Sequence, residues 1–143
     1  MKRKYFLLVL FLILAMFLSG CGGVIIVTPA TNEAKVRSVI NEYFLAINDQ
    51  NWNKAKSCCV YGSDIYYETC YLEDAVNTLY QYAYNVTITC FINISNVFVS
   101  GSYANAYCSG SITIIADSYY ESDIASGYIY LQKIGNTWKI YDF

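Results

Sequence analysis

Residues 86–94 read VTITCFINI, and this stretch decides the fold class of the protein. Its apolar side chains occupy every second position, which is the spacing of one face of a β-strand. These positions are Val86, Ile88, Cys90, Ile92 and Ile94. Val97 and Val99 continue the strand on the opposite parity, so we expect a β-bulge near Ser95-Asn96.

The sequence after this strand predicts an antiparallel meander. A second strand covers Tyr103 to Ala116, a third covers Tyr128 to Ile134, and we interpret the polar, acidic segment Asp117 to Ser126 as a loop. The hairpin signal Gly135-Asn136 then leads into a fourth strand, Thr137 to Phe143. Consecutive strands joined by a turn, this loop and a hairpin predict an antiparallel sheet of four strands.

The last hairpin also predicts which residues share a face. With Ile134 opposite Thr137, Leu131 lies opposite Ile140 and Tyr130 opposite Tyr141. This register places four large apolar side chains together on the face that meets the helices: Ile129, Leu131, Trp138 and Ile140.

Before residue 86 the apolar period changes to that of a helix. A first helix follows Thr31, a potential cap, and stops at Asn48 to Asn51. A short second helix covers Trp52 to Cys59, Val60 to Tyr71 is interpreted as irregular, and a third helix covers Leu72 to Ala83. The stripe on the first helix consists of Val36, Val39, Ile40, Tyr43, Phe44 and Ile47.

Helices followed by strands predict an α+β domain, with the N-terminal helices packed on a curved four-stranded antiparallel sheet. We expect residues 32–143 to form a single domain, since this length suffices for one hydrophobic core.

The N-terminus predicts export. Three basic residues, Lys2 to Lys4, precede the apolar run Tyr5 to Leu18, which is shorter than the roughly 20 residues of a membrane span. Leu18-Ser19-Gly20-Cys21 resembles the lipobox of bacterial lipoproteins, which implies cleavage before Cys21 and acylation of its sulfur. A plain secretory signal with an unrelated cysteine is the alternative.

On this basis we expect residues 1–20 to be a signal peptide and residues 21–31 to be a lipidated tether. Two or more acyl chains hold a protein stably on a bilayer. The expected location is the extracytoplasmic face of a cell membrane, with membrane contact through the acyl chains on Cys21.

Composition excludes several classes of function. The sequence contains no histidine, which removes histidine-dependent triads and the usual zinc hydrolase sites. Beyond Cys21 there are six basic and eleven acidic residues without a basic cluster, so nucleic acid is not an expected partner. There is no glycine-rich phosphate loop, and Asp117, Glu121 and Asp123 lack a calcium-loop pattern, so we predict no cofactor and no metal site.

Five cysteines follow Cys21: Cys58, Cys59, Cys70, Cys90 and Cys108. Export permits disulfides, but an odd number leaves at least one thiol free or paired between chains. Cys58 or Cys59 could reach Cys70. Alternatively, several of the five are small buried hydrophobic residues.

Three segments resemble the nuclear transport factor 2-like family, which includes ketosteroid isomerases, polyketide cyclase-like proteins and many binding domains. They are VINEYFLAI (Val39 to Ile47), NWNKA (Asn51 to Ala55) and GNTWKI (Gly135 to Ile140). The resemblance implies a cone in which the helices and the concave sheet enclose a pocket open at one end. A cystatin-like fold is the alternative.

The sequence has 16 tyrosines, and many lie in the segment that would cover such a pocket. The candidate ligand-binding residues are Asp64, Tyr66, Tyr67, Tyr80, Tyr84 and Tyr107. They suit an apolar or sugar-like ligand, with phenols as hydrogen-bond donors. The alternative is that tyrosine serves as an ordinary strand and core residue.

We predict a non-catalytic domain that binds a ligand or a partner on a membrane-anchored lipoprotein. One alternative is a small isomerase- or cyclase-like enzyme, for which the resemblance implies an aspartate base beside a tyrosine. Asp64 with Tyr66 or Tyr67 is the candidate pair, but no residue matches the catalytic pattern of the family. The other alternative is an envelope interaction protein that forms a homodimer or recruits an envelope partner through the open sheet face.

Overall fold

The structure is a computed structural model that describes residues 30–143. The signal peptide, Cys21 and the tether as far as Pro29 lie outside the described residues, so their predicted roles stay predictions. In the described part no helix combines the length and the apolar character that a bilayer crossing requires.

The described residues form three helices followed by a four-stranded sheet. The helices are α1 (Asn32–Asn48), α2 (Trp52–Cys58) and α3 (Asp64–Leu79). The strands are β1 (Val86–Ser100), β2 (Tyr103–Ala116), β3 (Tyr119–Ile134) and β4 (Thr137–Asp142), paired antiparallel in the order β1-β2-β3-β4. The α+β class and the four-stranded antiparallel sheet are therefore confirmed.

The first helix begins where the sequence predicts. The Thr31 hydroxyl accepts a hydrogen bond from the backbone N–H of Ala34 at 3.2 Å and so satisfies one of the free donors of the first turn. The predicted stripe faces the sheet, with Val36, Ile40, Tyr43 and Ile47 buried and Val39 and Phe44 half-buried against the core.

The prediction that Val60 to Tyr71 is irregular is wrong, because α3 already begins at Asp64. Ser63 caps it by accepting a hydrogen bond from the N–H of Tyr66 at 3.3 Å. The helix buries Ile65, Thr69 and Val76 along one face, a stripe that the polar Thr69 obscures in the sequence. It ends at Leu79 rather than Ala83.

The prediction that Asp117 to Ser126 is a loop is also wrong. Ala116 pairs with Tyr119, so the two strands are joined by a two-residue turn and β3 extends to 16 residues. Asp117 adopts a positive φ of 49° and accepts hydrogen bonds from the N–H groups of Tyr84 and Asn85. The segment is polar because the helices leave this half of the strand exposed, not because it is irregular.

The predicted register holds in part. The bulge between Ile94 and Asn96 is confirmed, as is the pairing of Leu131 with Ile140. The predicted Tyr130–Tyr141 pairing is wrong, because a bulge shifts Tyr130 opposite Asp142. The shared buried face is confirmed: Ile129, Leu131, Trp138 and Ile140 are all buried.

The core lies between the helices and the concave face of the sheet. A short parallel bridge between Cys59 and Ile140 ties the connection after α2 to the last strand, and the N–H of Val60 donates to the Ile140 carbonyl at 2.7 Å. The packed side chains concentrate over β4 and the adjoining ends of β2 and β3, whereas the far half of β3 has exposed residues on both faces.

Candidate ligand-binding cavity

A cavity of about 650 Å³ separates α1 and α3 from the concave face of β1, β2 and β3. Its floor follows from strand periodicity, since alternate residues of a strand point to the same face. The floor residues include Cys90, Ile92, Cys108, Gly110, Ile112 and Ile129. Gly110 is required there, because a Cβ atom would lie 2.1 Å from the carbonyl oxygen of Phe91 on the neighbouring strand.

Three aromatic rings form one wall. Tyr43 and Phe44 come from adjacent positions of α1, and their ring centroids are 5.1 Å apart in an edge-to-face arrangement. Phe143 follows β4 and stacks on Phe44 at 6.2 Å, with its ring also 5.9 Å from that of Tyr43. The wall is therefore an aromatic surface whose C-terminal member is half exposed.

The Tyr43 hydroxyl is engaged in a buried hydrogen-bond chain. It lies 3.0 Å from the Thr69 hydroxyl, which donates to the Ile65 carbonyl at 2.7 Å. Burial raises the pKa of Tyr43 well above its usual value, so the phenol stays neutral. Tyr43 therefore positions α1 against α3 and contributes its ring to the wall.

The charged side chains that the described residues contribute to the cavity lining are carboxylates. Glu68 of α3 and Asp123 of β3 are the charged residues that line the cavity, and both are exposed. Asp123 accepts a hydrogen bond from the N–H of Ile124 at 2.8 Å. Among residues 30–143 no lysine or arginine lines the cavity, so the charge that these residues place at the cavity is negative.

The five cysteines of the described residues are free thiols, and two of them, Cys90 and Cys108, lie in the cavity floor. Burial raises the pKa of Cys90 to about 11 and also raises that of Cys108. Both remain protonated near neutral pH and are poor nucleophiles. They serve the cavity as small apolar side chains, as one of the two interpretations of the sequence holds.

The six residues predicted to bind a ligand lie elsewhere, in three separate places. Asp64, Tyr66 and Tyr67 occupy the first turn of α3, where the two tyrosine rings are 5.8 Å apart. Tyr80 and Tyr84 line a shallow pocket of about 230 Å³ in the turn after that helix.

The sixth residue, Tyr107, lies on the convex face of β2, where its ring contacts Tyr128 with centroids 5.2 Å apart. None of the six lines the larger cavity. That they bind a ligand stays a prediction.

The sequence reasoning missed the residues that do line the cavity. Their signal was present in the alternation of β1, because the concave face predicted for Cys90 and Ile92 is the cavity floor. Glu68 lies in a segment predicted to be irregular, and Asp123 lies in a segment predicted to be a loop, where it was weighed only as a calcium ligand. A residue outside a helix or strand has no predictable face, so neither carboxylate could be assigned to the cavity.

This arrangement of three helices on a four-stranded antiparallel sheet matches several solved structures. A ketosteroid isomerase-like protein from Erwinia carotovora atroseptica SCRI1043 superposes with a TM-score of 0.58 at 13% identity, covering 76% of this chain and 90% of that one. An NTF2-like protein of unknown function from Pseudomonas putida KT2440 superposes with a TM-score of 0.54 at 10% identity, covering 76% of this chain and 81% of that one. The chain has the nuclear transport factor 2-like fold.

The beta subunit of the benzoate 1,2-dioxygenase from Burkholderia mallei ATCC 23344 also superposes on this chain, with a TM-score of 0.53 at 17% identity, covering 80% of this chain and 89% of that one. No protein-family model and no curated protein sequence matches the chain. Likeness at these identities establishes the fold, and function has to be argued from the cavity itself.

Proposed function

We propose that this domain is a binding module that holds a small, mainly apolar ligand in the cavity between α1, α3 and the sheet. The observation that carries the proposal is the cavity itself, about 650 Å³ of space with an apolar floor and an aromatic wall. Ligand sites typically measure roughly 300–1,000 Å³ and combine an apolar lining with a few polar groups. The cavity fits both parts of that description.

The polar groups at the cavity indicate the chemistry of the ligand. An apolar body would contact Ile92, Ile112 and the ring of Phe44, while a head group would meet the carboxylates of Glu68 and Asp123. A neutral hydroxyl or amide, or a cationic amine, is compatible with carboxylate acceptors, whereas a carboxylate or phosphate head would be repelled. We therefore propose a neutral or cationic ligand.

Several features favour binding over catalysis. The chain has no histidine, and the cavity thiols are protonated at neutral pH. The Tyr43 hydroxyl is held by Thr69, so its donor is not directed at a ligand. The described lining offers neither a histidine nor a thiolate, and its two carboxylates, Glu68 and Asp123, are exposed to water, so the cavity is better suited to holding a molecule than to converting it.

The anchor predicted from the sequence completes the proposal. Acyl chains on Cys21 would hold the domain at the extracytoplasmic face of the membrane, where lipids and other amphiphiles are concentrated. A binding module at that surface would capture an amphiphile or present it to an envelope partner.

A matched pair of substitutions on β2 tests the binding proposal. Ile112 faces the cavity and Ile115 lies on the convex face, so Ile112→Trp fills the cavity whereas Ile115→Trp adds the same ring outside it. The probe is N-phenyl-1-naphthylamine, a neutral apolar dye that fluoresces on leaving water. We expect saturable binding by the parent and by Ile115→Trp, with at least tenfold weaker binding by Ile112→Trp.

Circular dichroism spectra must show that both variants fold. Equal dye binding by the two variants, or no saturable binding by the parent, would contradict the proposal.

A further inference from the structure

One edge of the sheet is open over a long distance. β3 has 16 residues but β4 has six, and β4 pairs with β3 only from Tyr130 to Ile134. Residues 119–129 therefore have β2 on one side and no strand on the other, within the part of the chain that the structure describes. At about 3.3 Å per residue this edge is roughly 36 Å long.

The phase of the β2–β3 pairing identifies which backbone groups are free at this edge. The N–H of Lys133 donates to the Ser102 carbonyl at 2.8 Å, so the odd-numbered residues of β3 direct their N–H and C=O groups toward β2. The even-numbered residues direct theirs outward: Tyr120, Ser122, Ile124, Ser126 and Tyr128. The bond from the Ile124 N–H to its neighbour Asp123 agrees with this phase.

The opposite edge of the sheet is closed by side chains. Two side chains of α1 and one just after it form hydrogen bonds with backbone groups on the outer edge of β1, at every fourth residue of the strand. Arg37 donates to the Ile94 carbonyl at 2.8 Å, Asn48 to the Cys90 carbonyl at 3.0 Å, and Gln50 to the Val86 carbonyl at 2.9 Å. The Asn48 side chain also accepts a hydrogen bond from the Cys90 N–H.

Unpaired strand edges are templates for pairing with another chain, and proteins usually block them. Here one edge is blocked and the other is open. Because only one edge per molecule can pair, edge pairing ends at two copies and does not continue into a filament.

The geometry points to a second copy of this chain as the partner of the open edge, with the two β3 strands antiparallel about a two-fold axis at Ile124. Outward residues then oppose outward residues: Tyr120 faces Tyr128 of the second copy, and Ser122 faces Ser126 of the second copy. The result is one continuous sheet of eight strands. Five opposed pairs that exchange two hydrogen bonds each give about ten, the number found in a typical interface. Two of these bonds form when the Ile124 N–H of each copy exchanges its bond to Asp123 for the carbonyl of the opposite Ile124.

The charges on β3 are compatible with this register. Glu121 and Asp123 alternate with the outward residues and point to the concave side. With the axis at Ile124, Glu121 faces Gly127 of the second copy and Asp123 faces Ala125 of the second copy, so no carboxylate directly opposes another. An axis at Asp123 would set that carboxylate against itself, which is unfavourable.

Gly127 offers a charge test that separates the interface from the fold. A Cβ atom at Gly127 has no neighbour within 4 Å in the single chain, so the monomer accepts either side chain. Gly127→Asp sets a carboxylate opposite Glu121 of the second copy, and Gly127→Lys sets an ammonium there. We expect the parent to dimerise, Gly127→Asp to dissociate about two- to thirtyfold more readily, and Gly127→Lys to dimerise at least as tightly as the parent.

The measurement is sedimentation equilibrium of the full-length chain in mild detergent, with circular dichroism to confirm that both variants fold. A monomeric parent at high concentration would overturn the proposal. The proposal would also be overturned if Gly127→Asp and Gly127→Lys changed the dimer dissociation constant by the same factor in the same direction.

Cysteine cross-linking provides a second test that does not depend on charge. Hydrogen-bonded antiparallel partners have Cα atoms about 5.5 Å apart, which suits a disulfide. In a Cys70→Ser background, Ile124→Cys should form a covalent dimer under mild oxidation, and the control Phe91→Cys, exposed on the convex sheet face, should not.

Cross-linking by Phe91→Cys alone would show that copies meet through the sheet face, and cross-linking by both variants would show random collision. Either result would overturn pairing at the β3 edge.

Discussion

Replacing Trp138 by alanine should produce the largest loss of stability of any single truncation in the sheet. Trp138 is 1% exposed and is the largest fully buried side chain among the described residues. Truncating a buried tryptophan typically costs about 3–5 kcal/mol. Domains of this size are stable by roughly 5–15 kcal/mol, so the loss is a large fraction of the total.

The structure refines this prediction through the indole nitrogen. The Nε1–H of Trp138 is buried and has no hydrogen-bond acceptor among the described residues. An unsatisfied buried donor costs about 1–3 kcal/mol, which the native protein already bears. Trp138→Phe removes that donor while it keeps much of the apolar volume, so we expect a loss of about 1 kcal/mol or less. The contribution of Trp138 is then packing alone.

Urea denaturation followed by circular dichroism measures both changes. With a slope of about 2 kcal/mol per molar urea, Trp138→Ala should lower the unfolding midpoint by about 1.5–2.5 M. Lys139→Ala is the control, because Lys139 points to the other face and its ammonium only donates to the Ser57 carbonyl at the surface. It should cost about 1 kcal/mol or less.

A Trp138→Ala midpoint within experimental error of the parent would refute the assignment of the buried face. A Trp138→Phe loss as large as that of Trp138→Ala would instead refute the argument about the indole N–H, because it would show that the nitrogen makes a stabilising bond.

Two further predictions concern titration and the anchor. Burial raises the pKa of Cys59 to about 12 and that of Cys90 to about 11, whereas thiols of the unfolded chain titrate near 8.5. The unfolded chain therefore loses these protons first as the pH rises. The free energy of unfolding should fall between about pH 8 and pH 11. A urea midpoint that is constant or rises over this range would contradict this prediction. For the anchor, mass spectrometry of the membrane fraction should find an acylated Cys21 as the N-terminus, and Cys21→Ser should leave the precursor uncleaved. A released chain with an unmodified Cys21 would contradict the lipoprotein prediction.

The sequence predicted those elements in which burial imposes a simple period. In β1 every second residue is apolar and in α1 the stripe is nearly continuous, because each packs one complete face against the core. The β-bulge at Ser95 was predictable for the same reason, since it changes the parity of a pattern that burial otherwise enforces.

The first half of β3 and the start of α3 were not predicted as a strand and a helix because neither shows a simple burial period. The first half of β3 is exposed on both faces, so no burial pattern distinguishes Glu121 or Asp123 from loop residues, and the strand is held by its hydrogen bonds to β2. The start of α3 is an amphipathic turn whose buried face includes the polar Thr69, which bonds to Tyr43 of α1. That bond depends on tertiary contact and leaves no periodic signal in the sequence.

The cavity and the open edge have a common origin in the shortness of β4. Because β4 ends opposite Tyr130, the helices and Phe143 cover only the near half of the sheet, and the far half of β3 extends beyond them. The cavity opens toward that uncovered half, where Asp123, Ala125 and Gly127 line it. A second copy paired at the β3 edge would add a sheet next to this opening and leave the concave face accessible. The same concave-face carboxylate, Asp123, would then meet both the head group of a ligand and the edge of the second copy, so that dimerisation and ligand binding would influence each other through it.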